Sequence, residues 1–493
     1  MVKGSPVKIV LFLASLGIVG PLAPQPLYGE GFEKSVVQVT SYSQAPDFDA
    51  PWRRKQVKSS NHLGVAVLPN VVLVSAHATA HHTMIEINRV GETMKIPMET
   101  IKVDFNINLA LIRPKGDQKL NLTPVEIGGD LAIGKRATLI SGRRKQRLYG
   151  SPIRLSEVSV RQVLTSYYVF THYLFDVSQK TGLGWSEPIL DENGRLTALG
   201  VGQESDTLYA TPGKVIKNFI ADWQSGNYRG LTMLGIGIRP LESPHLRSYL
   251  EIPLDLEGVL VTQIYAHSPF FGKVEKNDIL VQLGNVKINK NGFYNHPLWG
   301  KVHFIDILTR YAAGDEIELT VVRRGQKIVI KEKSRPFDQN KFLIPGYPYG
   351  VVPHLIFGGL MFQELNLGFL KTWGDRWKNN APEAMVFSSA YENKSSQGKR
   401  IIILNRVLSD SHNRGYEGLT NSVLVSCNGR PIHSLDQLKE ALKNPENTQQ
   451  PLARFDFSIY DGEIILDYQG LEESHKRIAK TYNIKSSSSF YSH

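Results

Sequence analysis

The chain contains one cysteine, Cys427, in 493 residues. No intramolecular disulfide can form, and a secreted scaffold stabilised by bridges is excluded. Beyond the N-terminal segment no apolar run approaches the ~20 residues that a membrane-spanning helix needs. His77, His81 and His82 form a short histidine run, but no carboxylate or cysteine stands at ligand spacing from it, so neither a metal nor another cofactor is indicated. Positive charge is present without concentration. The formal net charge of +11 is spread along the chain, with local clusters only at Arg53-Arg54-Lys55 and Arg143-Arg144-Lys145. No nucleic-acid-binding motif accompanies them, so they read as solvated loop charges, or as contacts to an acidic partner or an anionic headgroup.

What is present fits a chain of two to four domains. Lys3 and Lys8 precede the apolar run Ile9 to Gly20, and Pro21 to Gly29 is rich in breakers. That is the order of a secretory signal over residues 1–29, with an uncleaved anchor as the alternative. From about residue 33 to 215 short β-patterned runs alternate with turns, among them Val36–Val39, Val65–Leu68, Val71–Val74 and Met84–Ile87. Many short strands at this spacing predict an all-β barrel or sandwich. Val215, Ile216, Phe219, Ile220 and Trp223 then fall on one face of a predicted helix, Pro212 to Trp223, and Gln224-Ser225-Gly226-Asn227 marks a boundary.

Two later blocks repeat one grammar. The first has Val259–Thr262, Ser268-Pro269, Asn277–Val281 and a turn at Gly284-Asn285. The second has Ile401–Leu404, Ser422–Val425 and a turn at Asn428-Gly429, followed by Leu435, Leu438 and Leu442 at helical spacing. Strand, strand, Asn-Gly-type hairpin and helix is the order of a PDZ domain. The serine-rich end, Lys485 to His493, reads as disordered.

Three motifs carry chemistry. Val74-Ser75-Ala76-His77-Ala78 has the form that presents a catalytic histidine. Asn108-Leu109-Ala110-Leu111-Ile112 has the form of a strand that carries the acid. Gly184-Trp185-Ser186-Glu187-Pro188, with the Asp191–Gly194 turn, stands where a nucleophile loop belongs. With Pro51-Trp52, Tyr209-Ala210-Thr211-Pro212, Pro244-His245-Leu246-Arg247 and Gly415-Tyr416-Glu417, these motifs make the chain resemble the HtrA/Deg family, closest in look to its plant members. The resemblance covers nearly all of the chain after the signal. It implies a mainly β architecture, a trypsin-like double β-barrel over residues 30–227 followed by PDZ domains at 228–336 and 350–476. A linker at 337–349 joins them, and a tail at 477–493 ends the chain.

A serine protease needs a hydroxyl, a base that takes its proton and a buried acid that fixes the base's tautomer. His77 matches the base. Asn108 stands in place of the acid, and replacing aspartate by asparagine in such a triad lowers kcat about 10⁴-fold. Asp104 could substitute only after local rearrangement. A gapless register puts Trp185 at the nucleophile, with Ser186 and Glu187 replacing two glycines and Leu183 replacing the glycine of the oxyanion turn. A shift of one residue would make Ser186 the nucleophile.

For binding, the resemblance implies capture of peptide termini by strand addition. Met233-Leu234-Gly235-Ile236 in the first PDZ block and Gly359-Leu360-Met361-Phe362 in the second occupy the matching places. The reading is an exported protein, in a bacterial periplasm or at the cell surface, that binds unfolded or C-terminal peptide segments without cleaving them. It implies a homo-oligomer, trimer or hexamer, with an active paralogue as a possible partner. The alternatives are a serine endopeptidase with a His77/Ser186 centre and a surface adhesin.

Overall fold

A computed structural model describes residues 31–89, 91–142, 148–163, 166–177, 186–346, 349–350, 352–374, 376–390, 399–443, 445, 451–458, 462–485 and 489–491. The expected signal at 1–29, the basic cluster at 143–145, and Leu183, Gly184 and Trp185 lie outside the described residues.

Six strands close the first barrel: β1 (Val36–Ser43), β2 (Lys58–Leu68), β3 (Val71–Ser75), β4 (His82–Arg89), β5 (Ile96–Asp104) and β6 (Leu109–Pro114), in the order β1-β2-β3-β6-β5-β4. The second barrel repeats the plan with β7 (Arg136–Gly142), β8 (Leu148–Gln162), β9 (Val169–Asp176), β10 (Pro188–Leu190), β11 (Leu196–Glu204) and β12 (Thr207–Pro212), closed as β10-β11-β12-β9-β8-β7. Closure removes free strand edges. Every residue of β3 is buried, because its two faces serve two cores. Val72 and Val74 point into the first barrel beside Val37, Val39, Ile85 and Ile87. Val71 and Leu73 join the seam between the barrels, where Leu190, Leu196 and Leu199 meet them. The predicted helix is α1 (Gly213–Gln224), and it seals that seam with Val215, Ile216, Phe219 and Ile220.

A third sheet follows, β13 (Ile236–Arg239), β14 (Val259–Ile264), β15 (Ile279–Leu283), β16 (Val286–Lys287), β19 (Glu316–Arg323) and β20 (Gln326–Lys333), with the hairpin β17 (Phe293–His296) and β18 (Gly300–His303) beside it. Its core is continuous with that of the second barrel: Tyr173 and Phe175 share one apolar cluster with Val259, Trp299 and Phe304. Polar bonds cross the same junction. Trp299 Nε1 donates to the Leu131 carbonyl at 2.9 Å, Tyr168 Oη to the Thr232 carbonyl at 2.6 Å, and Thr171 Oγ1 to the buried Asp306 carboxylate at 2.6 Å.

The fourth sheet runs β21 (His354–Phe357), β22 (Leu360–Glu364), β23 (Ile402–Val407), β24 (Ser422–Cys427), β26 (Leu452–Phe457) and β27 (Glu463–Asp467), with β25 (Arg430–Pro431) beside β24. The repeated blocks read in the sequence are β14-β15-β16 and β23-β24-β25, each ending in a hairpin. Two expectations are corrected here. The helix Leu471–Tyr482 runs across the expected start of the tail at 477 and buries Leu471 and Ile478. Beyond it, Ser489 and Tyr491 are also buried, with Phe490 bridging to Ile356 on the outer edge of β21. A run of serines reads as disordered by composition, but its flanking Phe490 and Tyr491 find an apolar edge to cover. The segment 337–349 is not a free linker either. Phe337 and Phe342 stack together at 5.7 Å, and Ile344 is fully buried.

The loop between β1 and β2 hooks the fourth sheet onto the first barrel. Phe48 is buried among Ile344, Leu365, Phe369, Met385 and Ile403, and Asn405 Nδ2 donates to its carbonyl at 2.8 Å. Trp52 Nε1 and Arg53 Nη2 both donate to the Tyr482 carbonyl, at 3.3 and 2.8 Å. Phe48→Ala removes the central apolar side chain of the hook. The expected cost is about 3 kcal/mol, read as a lower urea midpoint for the fourth-sheet unit. An unchanged midpoint would mean that the loop rests on the sheet without holding it.

Candidate functional site

The site is built where β3 ends. After Ser75 the chain makes one tight turn, Ala76–Thr79, that carries His77 on its outer side, exposed to solvent. The turn is pinned from across the sheet by Asn108, the residue before β6. The Asn108 carbonyl accepts from Ala76 N at 3.1 Å, and its side-chain Oδ1 accepts from His77 N at 2.9 Å. Asn108 sits at φ +54°, a left-handed position that asparagine tolerates better than most residues. The sequence motif is therefore assembled as read: the Asn108 side chain lies against the histidine turn. Its oxygen accepts from a backbone N–H, and an amide, unlike a carboxylate, carries no charge to stabilise an imidazolium.

Asp104 does not take over the acid's place. Its carboxylate, buried at the end of β5, accepts from the Tyr228 hydroxyl and from Asn106 N at 2.8 Å. Burial pushes this carboxyl up and the Tyr228 hydroxyl up with it. The pair ties the first barrel to the connector after α1.

Ser186 is placed in the interior. It is fully buried, and its Oγ accepts from Ser75 N at 2.7 Å. Its own N–H donates to the Gly200 carbonyl at 2.7 Å, while Gly200 N donates to the Glu187 carbonyl at 2.8 Å. Glu187 is buried beside it. Ser186 adopts φ +92°, a backbone position that favours glycine. The hydroxyl is thus held behind the β3 end, bonded to its backbone. Trp185, the other candidate for the nucleophile position, lies outside the described residues.

Sequence reasoning missed two features. His62 on β2 is buried with its ring edge-on to His77 at 6.4 Å, and its Nε2 meets Ser60 Oγ at 2.8 Å. Only strand pairing brings it there. Tyr349 stacks flat on Phe105 at 3.4 Å and lies 5.6 Å from His81, so the segment entering the fourth sheet covers that side of the cleft. His81 is thereby used in packing, and His82 Nδ1 donates to the Thr79 carbonyl at 2.6 Å. Among the described residues no three histidine, cysteine or carboxylate side chains group as metal ligands.

The two expected peptide loops differ. Met233 and Leu234 are buried below a tight Gly235 at φ +63°, and Ile236 opens β13, which pairs on one side with β14. A Cβ at Gly235 would sit 2.7 Å from Ser268 Cβ. This loop has the form that strand addition requires. The second loop does not, which corrects the expectation for Gly359–Phe362. β22 is paired on both edges, by β21 and β23, and Leu360, Met361 and Phe362 are fully buried. Gly358 N donates to His475 Nε2 at 3.1 Å, and the Gly358 carbonyl accepts from Asn413 Nδ2 at 2.8 Å. The chain's own groups fill the place of a ligand.

Two buried histidines set the acid response. Burial pushes His172 down to about 4 and His475 down to about 4. The unfolded chain takes up these protons near pH 6.5 and the folded chain only near pH 4. Stability is therefore intact above the unfolded value and is lost as pH falls between the two. At 1.4 kcal/mol per unit, each site accounts for about 3 kcal/mol. Urea denaturation at pH 7 and pH 4.5 is expected to show this loss, reduced in His172→Gln. Equal slopes for both proteins would contradict it. Ser186→Ala is expected to cost about 1–3 kcal/mol by orphaning the buried Ser75 N–H, a loss visible in the same titration.

A PDZ-domain family profile matches residues 344–490. Protease Do-like 2, chloroplastic, from Arabidopsis thaliana is 23% identical over 432 residues, covering 84% of this chain and 68% of that protein. Putative protease Do-like 11, mitochondrial, from the same plant is 23% identical over 461 residues, covering 92% of this chain and 74% of that protein. Among solved structures, the HtrA-type protease AlgW with decapeptide aligns at a TM-score of 0.45 and 16% identity, over 62% of this chain and 95% of that one. With a PDZ-domain match at one end and Do-like relatives matching along most of its length, the chain is similar to the HtrA/Deg proteases, and among them to the plant Deg proteases.

Proposed function

We propose that this protein binds unfolded or C-terminal peptide segments of other proteins, as a quality-control or scaffolding factor, and does not cleave them. The observation that carries the reading is the buried Ser186 hydroxyl, bonded to Ser75 N at 2.7 Å in a site whose acid position holds Asn108. Hydrolysis needs a hydroxyl exposed beside a base of the right tautomer, and neither Ser186 nor Asn108 supplies its part.

Binding is assigned to the edge of β13 and the Met233–Ile236 loop. A peptide added there gains backbone hydrogen bonds, and the loop's amides face its terminal carboxylate. Export directed by residues 1–29, assembly as a homo-oligomer and pairing with an active paralogue belong to the same reading.

Purified protein incubated with unfolded casein, alongside His77→Ala and Ser186→Ala, tests it by mass spectrometry of fragments. The expected result is no cleavage, or a trace equal in all three. Cleavage lost in both variants would make the chain a peptidase. For binding, a labelled decapeptide with a free C-terminus is expected to bind at least tenfold more tightly than its C-terminal amide. Gly235→Ala should remove that difference, since its Cβ meets Ser268 and its φ is unsuited to a side chain. Retained capture by that variant would place the binding site elsewhere.

A further inference from the structure

A cavity of about 410 Å³ opens beside the acid position, lined by Asn108 and by Arg161, Gln162, His172, Gln203, Glu204 and Tyr209, among others, of the second barrel. Its walls come from the ends of β8, β9, β11 and β12, so it is held by the barrel itself. An apolar side chain would be a poor occupant, because the lining polar groups would lose water without gaining partners.

The polar groups are arranged by their own bonds. The Arg161 guanidinium lies 4.4 Å from the Tyr209 ring centre. The Tyr209 hydroxyl donates to Glu204 at 3.1 Å. His172 is almost fully buried, and its Nδ1 is 3.0 Å from the Phe170 carbonyl. A carbonyl only accepts, so Nδ1 carries the hydrogen and Nε2 is left as an acceptor. Burial, reinforced by Arg161, keeps the ring neutral at ordinary pH. Gln162 Nε2 donates to the Ser166 carbonyl at 3.1 Å, which leaves its Oε1 as another acceptor.

The cavity therefore offers a cationic donor, Arg161, and the neutral acceptors His172 Nε2 and Gln162 Oε1, together with the exposed Glu204 carboxylate that already accepts from the Tyr209 hydroxyl. A carboxylate would meet Glu204, the His172 lone pair and the Gln162 oxygen with only Arg161 in its favour. A lysine or arginine would meet Arg161 and gain only the exposed, already bonded Glu204. A carboxamide meets both sides at once, its oxygen accepting from Arg161 and its NH₂ donating to His172 Nε2. We infer that this cavity is a selective subsite for a glutamine or asparagine side chain of a bound peptide, with Arg161 and His172 as the residues that read it. This rests on the reading of the chain as a peptide-binding protein and adds a second point of contact to the β13 edge.

The test uses three labelled ten-residue peptides, identical except for a central Gln, Glu or Leu and amidated at the C-terminus so that terminal capture is silent. Fluorescence anisotropy with the full-length protein is expected to give about tenfold tighter binding for Gln than for Leu or Glu. Arg161→Leu, a change at an exposed side chain, should erase the difference while leaving capture of the free-terminus decapeptide intact. Equal binding of all three peptides, no binding of any at millimolar protein, or a preference for Leu or Glu would overturn the assignment. Mass spectrometry of the same mixtures separates the two claims. Cleaved peptides with the Gln preference retained would sink the non-cleaving reading and leave the subsite. Intact peptides without preference would do the reverse.

Discussion

Two backbone N–H groups, those of Ser75 and His77, govern what this site can be. The first sits at the end of a strand buried on both faces, where a buried N–H without an acceptor is costly, and the second in the turn that follows it. Ser186 Oγ answers the first and Asn108 Oδ1 the second. The serine hydroxyl is drawn inward and the amide oxygen holds the histidine turn, so one polar network stabilises the end of β3 where the two barrels meet.

The same economy links the domains. One apolar cluster passes from the second barrel into the third sheet, and Asp306 accepts hydrogen bonds from Thr171 and Tyr294 across and within that junction. The β1–β2 loop enters the fourth sheet through Phe48, and Tyr349 returns from the far side to stack on Phe105. In the fourth sheet β21 covers one side of β22, and Phe490 bridges to Ile356 on β21. In the third sheet β13 has a neighbour on one side, β14. The two similar domains therefore differ in which edges the chain has already covered.

The sequence by itself determined the alternation that makes the strands, the apolar face of α1, the Asn-Gly-type hairpins and the order of units, because these depend on neighbours a few residues apart. It also determined that the Leu-Ala-Leu run after Asn108 opens a strand. Long-range geometry decided the rest. Whether Ser186 points to solvent or to Ser75 depends on how two barrels meet, and whether Gly359 opens or closes a groove depends on β21, Asn413 and His475, all distant in the chain except the first. His62 beside His77, Tyr228 on Asp104 and the pairing of Arg161 with His172 in one cavity are products of strand register, which local composition does not encode. The burial of Ser489 and Tyr491 belongs with them: the end of the chain reads as solvated until the fold offers Phe490 the edge of β21.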